Sequence, residues 1–150
     1  MADFVLAQHT KDKIRELKGK DVKLVGRLFL KFQRDICSEY LMIPQALLLS
    51  LILHSKEKEK LANDGDSIPV KLIEPEGVTS LIKLVKKGNG MYVFGSQDEW
   101  KNVVSRNRFR VEVPVDLWSF VDGESTRFFV MQYVHGLNNQ PTAKTVTVID

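Results

Sequence analysis

"GKDVKLVGRLFLKFQRDICSEYL", residues 19–41, reads either as a strand or as a helix, and the choice decides the fold. As a strand, Val22, Leu24, Leu28, Leu30 and Phe32 alternate onto one face, with Lys23, Arg27 and Lys31 opposite. As a helix, Val22, Val25, Phe29, Phe32, Ile36 and Tyr40 recur at spacings of three and four. The cations favour the helix. Lys20, Lys23, Arg27, Lys31 and Arg34 share that spacing and fall in one sector opposite the apolar stripe, whereas a strand puts Lys20 and Arg34 on the wrong side. Gly26 costs a helix ~1 kcal/mol relative to alanine, which packing of the aromatic stripe can offset. The spacing therefore predicts a basic amphipathic helix, with Asp21, Asp35 and Glu39 as partial neutralisers near its ends. Such a strip fits a phosphate-rich polymer, an anionic membrane surface or an acidic protein groove. The plain alternative is a solvated face on an ordinary helix.

Working outward, Thr10 is placed to cap a short helix that runs through Lys18 and stops at Gly19. Downstream, "YLMIPQALLLSLIL" (residues 40–53) is apolar but too short for the ~20 residues of a bilayer span. Pro44 suits a helix's first turn, so a helix is expected over residues 44–62, ending before "NDGDS". Ala46, Leu47, Leu48, Leu49, Leu51, Ile52 and Leu53 surround its axis, and only Ser50 and His54 leave a polar notch. A helix apolar all round is normally buried all round, so a central core helix is expected. Part of residues 47–53 would face a second subunit if a chain of this size cannot cover every side. The "KEKEK" end reads as a solvated face with some i,i+4 pairing.

From residue 67 the pattern changes to short β runs separated by turns. "IPVKLI", "VTSLIKLVKK", "MYVFG", "RFRVEVPV", "DLWSFV" and "TRFFVMQYV" read as strands, with Gly88-Asn89-Gly90 joining the second and third as a hairpin. Ser96 followed by Glu99 has the capping-box spacing and predicts one or two helical turns. Pro114 marks an edge or a bend, and "KTVTVID" an edge strand or a tail. Alternation through "RNRFRVEV" places Arg106, Arg108 and Arg110 on one strand face. They would extend the cationic strip if the fold brings the two together, or else serve as edge protection. Most aromatic residues of this half, a set that includes Trp100 and Trp118, are assigned to the core, although exposed ones would stack on bases.

The chain has 150 residues, 43% hydrophobic and 27% charged, which fits one globular domain (1–62 mainly helical, 67–135 mainly β, 136–150 loop, edge strand or tail) and argues against disorder. The net charge of +3 conceals segregation. Residues 1–60 carry twelve Lys/Arg against eight Asp/Glu, and residues 81–114 seven against three, whereas 61–80 and 115–150 are acidic. A single cysteine, Cys37, excludes an internal disulfide. With no signal-peptide pattern and no span, an intracellular (cytoplasmic or nuclear) location is expected.

Catalytic signatures are lacking. Cys37 has no motif, His9 and His135 are isolated, and no His/Cys/carboxylate cluster has metal-site spacing. The glycines of "KKGNGMYVFG" match neither a P-loop nor a dinucleotide fingerprint. No cofactor, no metal and no small-molecule substrate are implied.

The sequence thus predicts an α+β fold, in which a helical N-terminal half with a central apolar helix packs on a mainly antiparallel sheet from the C-terminal half. The expected function is a non-enzymatic binding or assembly module, of the kind a small structural or viral protein provides. Lys20, Lys23, Arg27, Lys31 and Arg34, with Arg106, Arg108 and Arg110, would contact nucleic acid or an anionic lipid surface. Self-association through residues 47–53 or a sheet edge fits the same reading. The rivals are an adaptor for an acidic protein and a small enzyme built on Ser50, His54 or Asp116.

Overall fold

The computed structural model describes residues 5–31, 35–36, 38–43, 46–88, 91–95, 98–109 and 114–134, the side chains of residues 46 and 47 excepted. Among them are strands β1 (Lys20–Leu28), β2 (Leu41–Ile43), β3 (Ser67–Ile73), β4 (Thr79–Lys87), β5 (Met91–Phe94), β6 (Val115–Val121) and β7 (Arg127–Tyr133). They form one curled seven-stranded sheet in the order β1-β6-β7-β3-β4-β5-β2. Every pairing is antiparallel except β3 with β7, where Lys71 to Ile73 run parallel to Phe128 to Val130. The helices are short: α1 (Gln8–Glu16), α2 (Ala46–Ile52), α3 (Ser55–Lys60) and α4 (Glu99–Asn107).

Alternation along most of β3 and β4 puts Ile68, Val70, Leu72, Ile82 and Leu84 inside and Pro69, Lys71, Leu81 and Lys83 outside. Strands β6 and β7 are buried on both faces. One face joins the main core with Val25, Leu49, Phe94, Trp100 and Phe129. The other meets Ile14 of α1 in a smaller cluster with Ile73, Phe120, Phe128 and Val130. Phe94 meets Phe129 edge to face with ring centres 4.8 Å apart, a favoured aromatic geometry.

The α+β expectation of a helical N-terminal half is overturned: residues 20–28 are an extended edge strand, and the molecule is mostly sheet. The physical reason lies in two register shifts. Irregularities between Lys20 and Lys23 and between Leu24 and Gly26 each reset the alternation against β6. Asp21 takes up a positive φ of 57° within the first. A twice-interrupted period of two leaves Val25, Leu28 and Leu30 buried with Lys20 and Lys23 exposed, and that residue spacing imitates a helix.

The leucine helix is also corrected. It does not run unbroken to residue 62, because His54 is extended (φ −78°, ψ 163°) and begins α3 with a capping box completed by Glu57. Nor is it buried all round. Leu49 and Leu53 are in the core, but Leu48 is 38% and Leu51 75% exposed. Pro44, its expected start, lies outside the described residues. In the second half, α4 is longer than the one or two turns expected and carries Arg106, so that residue is helical and not part of a strand. The hairpin of β4 and β5 forms as expected, with Gly88 at φ 56°. Ser96, residues 110–113 of the strand expected over 108–115, and the terminal strand at 144–150 fall outside the described residues.

Candidate functional site

Six of the eight cations singled out in the sequence lie among the described residues. Lys20 and Lys23 are exposed on β1, at one end of the strand order. Lys31 is exposed just beyond it, and Arg108 is exposed at the end of α4. Among the described residues these four make no ion pair. Arg34 and Arg110 lie outside the described residues.

Arg27 and Arg106 have a different environment. Arg27 donates to both carboxylate oxygens of Asp116, Nε to Oδ1 at 2.7 Å and Nη2 to Oδ2 at 3.0 Å, and the Asp116 side chain is 2% exposed. Arg106 grips Glu74 in the same bidentate way, at 3.0 and 2.7 Å. These hydrogen bonds to the carboxylates raise the pKa of both arginines, burial working the other way. Burial alone would raise the Glu74 pKa, yet Arg106 and the amide of Asn107 outweigh it and hold the carboxyl below its ordinary value. Pulling either arginine out to reach a phosphate would strand a buried carboxylate.

Lys31 and Arg108, far apart in sequence, are each linked to the Trp100 indole through one intermediate residue. The Asp35 carboxylate accepts the backbone N–H of Lys31 at 2.7 Å, while the N–H groups of Asp35 and Ile36 both donate to the Lys31 carbonyl. The Asp35 carbonyl in turn accepts the indole N–H of Trp100 at 2.7 Å. Trp100 stacks on Phe109 with ring centres 5.7 Å apart and planes 21° apart. Phe109 directly follows Arg108, the left-handed cap of α4 (φ 51°, ψ 52°). Phe109 also meets Tyr133 edge to face at 6.4 Å. Burial first, and Glu76 after it, push the Tyr133 phenol up to about 12. Strand registers agree with this grouping, since Leu28 pairs with Val115 and Val115 with Tyr133 at one end of the sheet.

Further cations escaped sequence reasoning. Lys87 of β4 lies over the Tyr40 ring, 5.0 Å from its centre, which brings the β4–β5 turn beside the residues preceding β2. The partner roles of Glu74 and Asn107 were missed as well, while Asp35 was read only as a neutraliser near the end of the basic run and Asp116 only as part of the enzyme rival. Their partners are remote in the chain, and only a buried acid near a basic run hinted at them.

The enzyme rival finds no support in this geometry. His54 Nε2 is 3.2 Å from Asp21 Oδ2, both side chains about half exposed, and Asp116 is occupied by Arg27. Among the described residues, no group of three His, Cys, Asp or Glu could hold a metal ion. Nor is any described helix long and apolar enough to cross a membrane.

Comparison with known proteins gives two matches. The family model described as "B3 domain-containing protein At2g31720-like" matches residues 8–134. That span opens on the first residue of α1 and closes one residue past β7, taking in every described helix and strand. A curated protein of Arabidopsis thaliana, the B3 domain-containing protein At2g31420, is 30% identical over 133 residues, covering 79% of this chain and 61% of its own length. The chain thus corresponds to about three fifths of that relative.

Proposed function

We propose, from the premise that this chain belongs to the family of B3 domain-containing proteins, that it is a non-enzymatic module holding double-stranded DNA through its exposed cations. The B3 domain is, in plants, a DNA-binding domain type without enzymatic activity. The observation that carries the reading is the family match from the first described element to the last. Lys31 and Arg108 at the Trp100 end, with Lys20 and Lys23 along β1, supply positive charge that no acid neutralises among the described residues. Such side chains bind phosphate and release its counterions, so they give affinity and position without reading sequence. Arg34 and Arg110 adjoin Lys31 and Arg108 in the chain and are assigned with them. Arg27 and Arg106 serve the frame. A nuclear site of action follows from the same reading.

Fluorescence anisotropy with labelled duplex DNA tests this. The logarithm of the binding constant should fall linearly with the logarithm of salt concentration, by about 0.9 per phosphate contact. Reversing the charge of Lys20, Lys23, Lys31 and Arg108 together should flatten that line. Unchanged affinity and slope in that variant would place the contact surface elsewhere, and a wild-type protein without salt-dependent DNA binding would end the reading. Self-association through the exposed Leu48 and Leu51 of α2 is a separate reading. Light scattering tests it, and a strict monomer at high concentration rules it out.

A further inference from the structure

The geometry points to Trp100 and Asp35 as positioning residues that fix the two cationic segments relative to each other, so that Lys31 and Arg108 meet the DNA backbone as one surface. This rests on the DNA-binding reading above and goes beyond it, since neither residue carries positive charge and neither would touch the DNA.

Two cations on separate, loosely held segments gain little from each other, because each must be ordered when the ligand arrives. Here the ordering is already in place. Just beyond β1, three hydrogen bonds tie Lys31 to Asp35 and Ile36: Lys31 N–H to the Asp35 carboxylate at 2.7 Å, and Asp35 and Ile36 N–H to the Lys31 carbonyl at 2.8 and 3.1 Å. Asp35 is 1% exposed and Trp100 0%, so neither is a surface residue held there by chance. The indole edge donates to the Asp35 carbonyl, which ties Asp35 to α4. The indole face packs on Phe109, the residue after Arg108. Arg108 N–H donates to Val104 O at 2.9 Å and closes the helix immediately before that contact. One side chain therefore holds both segments, through its N–H on one side and its π face on the other. Replacing the indole by a phenyl ring would keep the second link and sever the first.

The test separates positioning from mere stability. Trp100→Phe retains an aromatic ring against Phe109 but loses the N–H. Asp35→Ala removes the acceptor for Lys31 N–H, whereas Asp35→Asn keeps an oxygen there. Each variant is titrated against duplex DNA across a salt series, with melting temperature measured alongside. If Lys31 or Arg108 loses its place, contacts are lost and the slope falls by about 0.9 for each, with affinity at ~0.1 M salt down about eightfold per contact. A purely structural role would lower the folded fraction and shift the line without changing its slope. Trp100→Phe and Asp35→Ala are expected to flatten the slope, and Asp35→Asn to restore it. Wild-type slopes in both of the first two variants would overturn the inference. Should Trp100→Phe fail to fold, the Asp35 pair decides alone: equal slopes in the alanine and asparagine variants refute it. Failure of the DNA-binding reading itself looks different, because the wild-type protein would then show no salt-dependent binding to perturb.

Discussion

An ideal Cβ built on Gly19 would sit 2.6 Å from Ile14 Cγ2 and 2.7 Å from Phe120 Cδ2, closer than real side chains come. The residue was read as the stop signal of the first helix, yet the left-handed position belongs to Lys18, with φ 57°. Gly19 is small because α1 is drawn down onto β6 there. Gly19→Ala is therefore expected to cost about 1–3 kcal/mol, the range for overpacking a core, measurable by urea denaturation. Arg27 gives the second prediction at this scale. Arg27→Met leaves the buried Asp116 carboxylate without its guanidinium and should cost about 3–5 kcal/mol. The same experiment on Lys23, exposed on the same strand, should stay within ~0.5 kcal/mol. All the arginines were visible as charge in the sequence. Which of them already faced an acid was not, because the partner of Arg27 is 89 residues away.

Elements show a similar division. Strands β3 and β4 were legible because apolar and polar positions alternate over most of their length, and β5 because it follows them across a turn; the turns carry residues that accept positive φ, Gly77 (φ 98°) and Gly88 (φ 56°). β1 was illegible because its register shifts against β6 twice, and a bulge is set by the partner strand as much as by local composition. In α2 the leucines gave a helix but not its environment, since seven apolar residues around an axis say nothing about which neighbours arrive. That asymmetry is testable. Leu49→Ala should cost about 2–5 kcal/mol, as for a fully enclosed leucine, whereas Leu51→Ser, on the wet side, should stay within ~0.5 kcal/mol. Chemical denaturation of the two variants side by side measures the difference; equal costs would mean that the helix is covered on both faces.

At the scale of the molecule, three bidentate arginine–carboxylate pairs among the described residues join parts of the chain that are remote in sequence. Arg27–Asp116 ties β1 to β6, Arg106–Glu74 ties α4 to the end of β3, and Arg127–Glu57 ties β7 to α3. The folded pKa values of Glu57 and Glu74 lie below the ordinary 4.5, because burial, which raises each, is outweighed by hydrogen bonds from arginine and other donors. As pH falls below about 4.5, the unfolded chain takes up these protons before the folded protein does. Stability from these two groups is therefore fully present above that pH and is lost as pH falls through the lowered folded values. Urea midpoints measured from pH 7 to 3 should hold level and then drop, and Glu57→Gln with Glu74→Gln should make the drop shallower. Midpoints that rise on acidification would contradict the assignment.

Of this protein, the sequence by itself determined the local quantities: the amount and sign of charge in each segment, the β character beyond residue 67, its hairpin turn and the lack of a catalytic signature. Only the tertiary structure decided that residues 20–28 are an edge strand set among short helices, which cations are matched by buried acids, and that Trp100 joins Asp35, which holds Lys31, to Phe109, which follows Arg108. The physical reason is range. Alternation and turn chemistry act between residues a few positions apart, whereas a bulge, a buried ion pair or a shared indole joins groups that only the folded sheet brings within 3 Å.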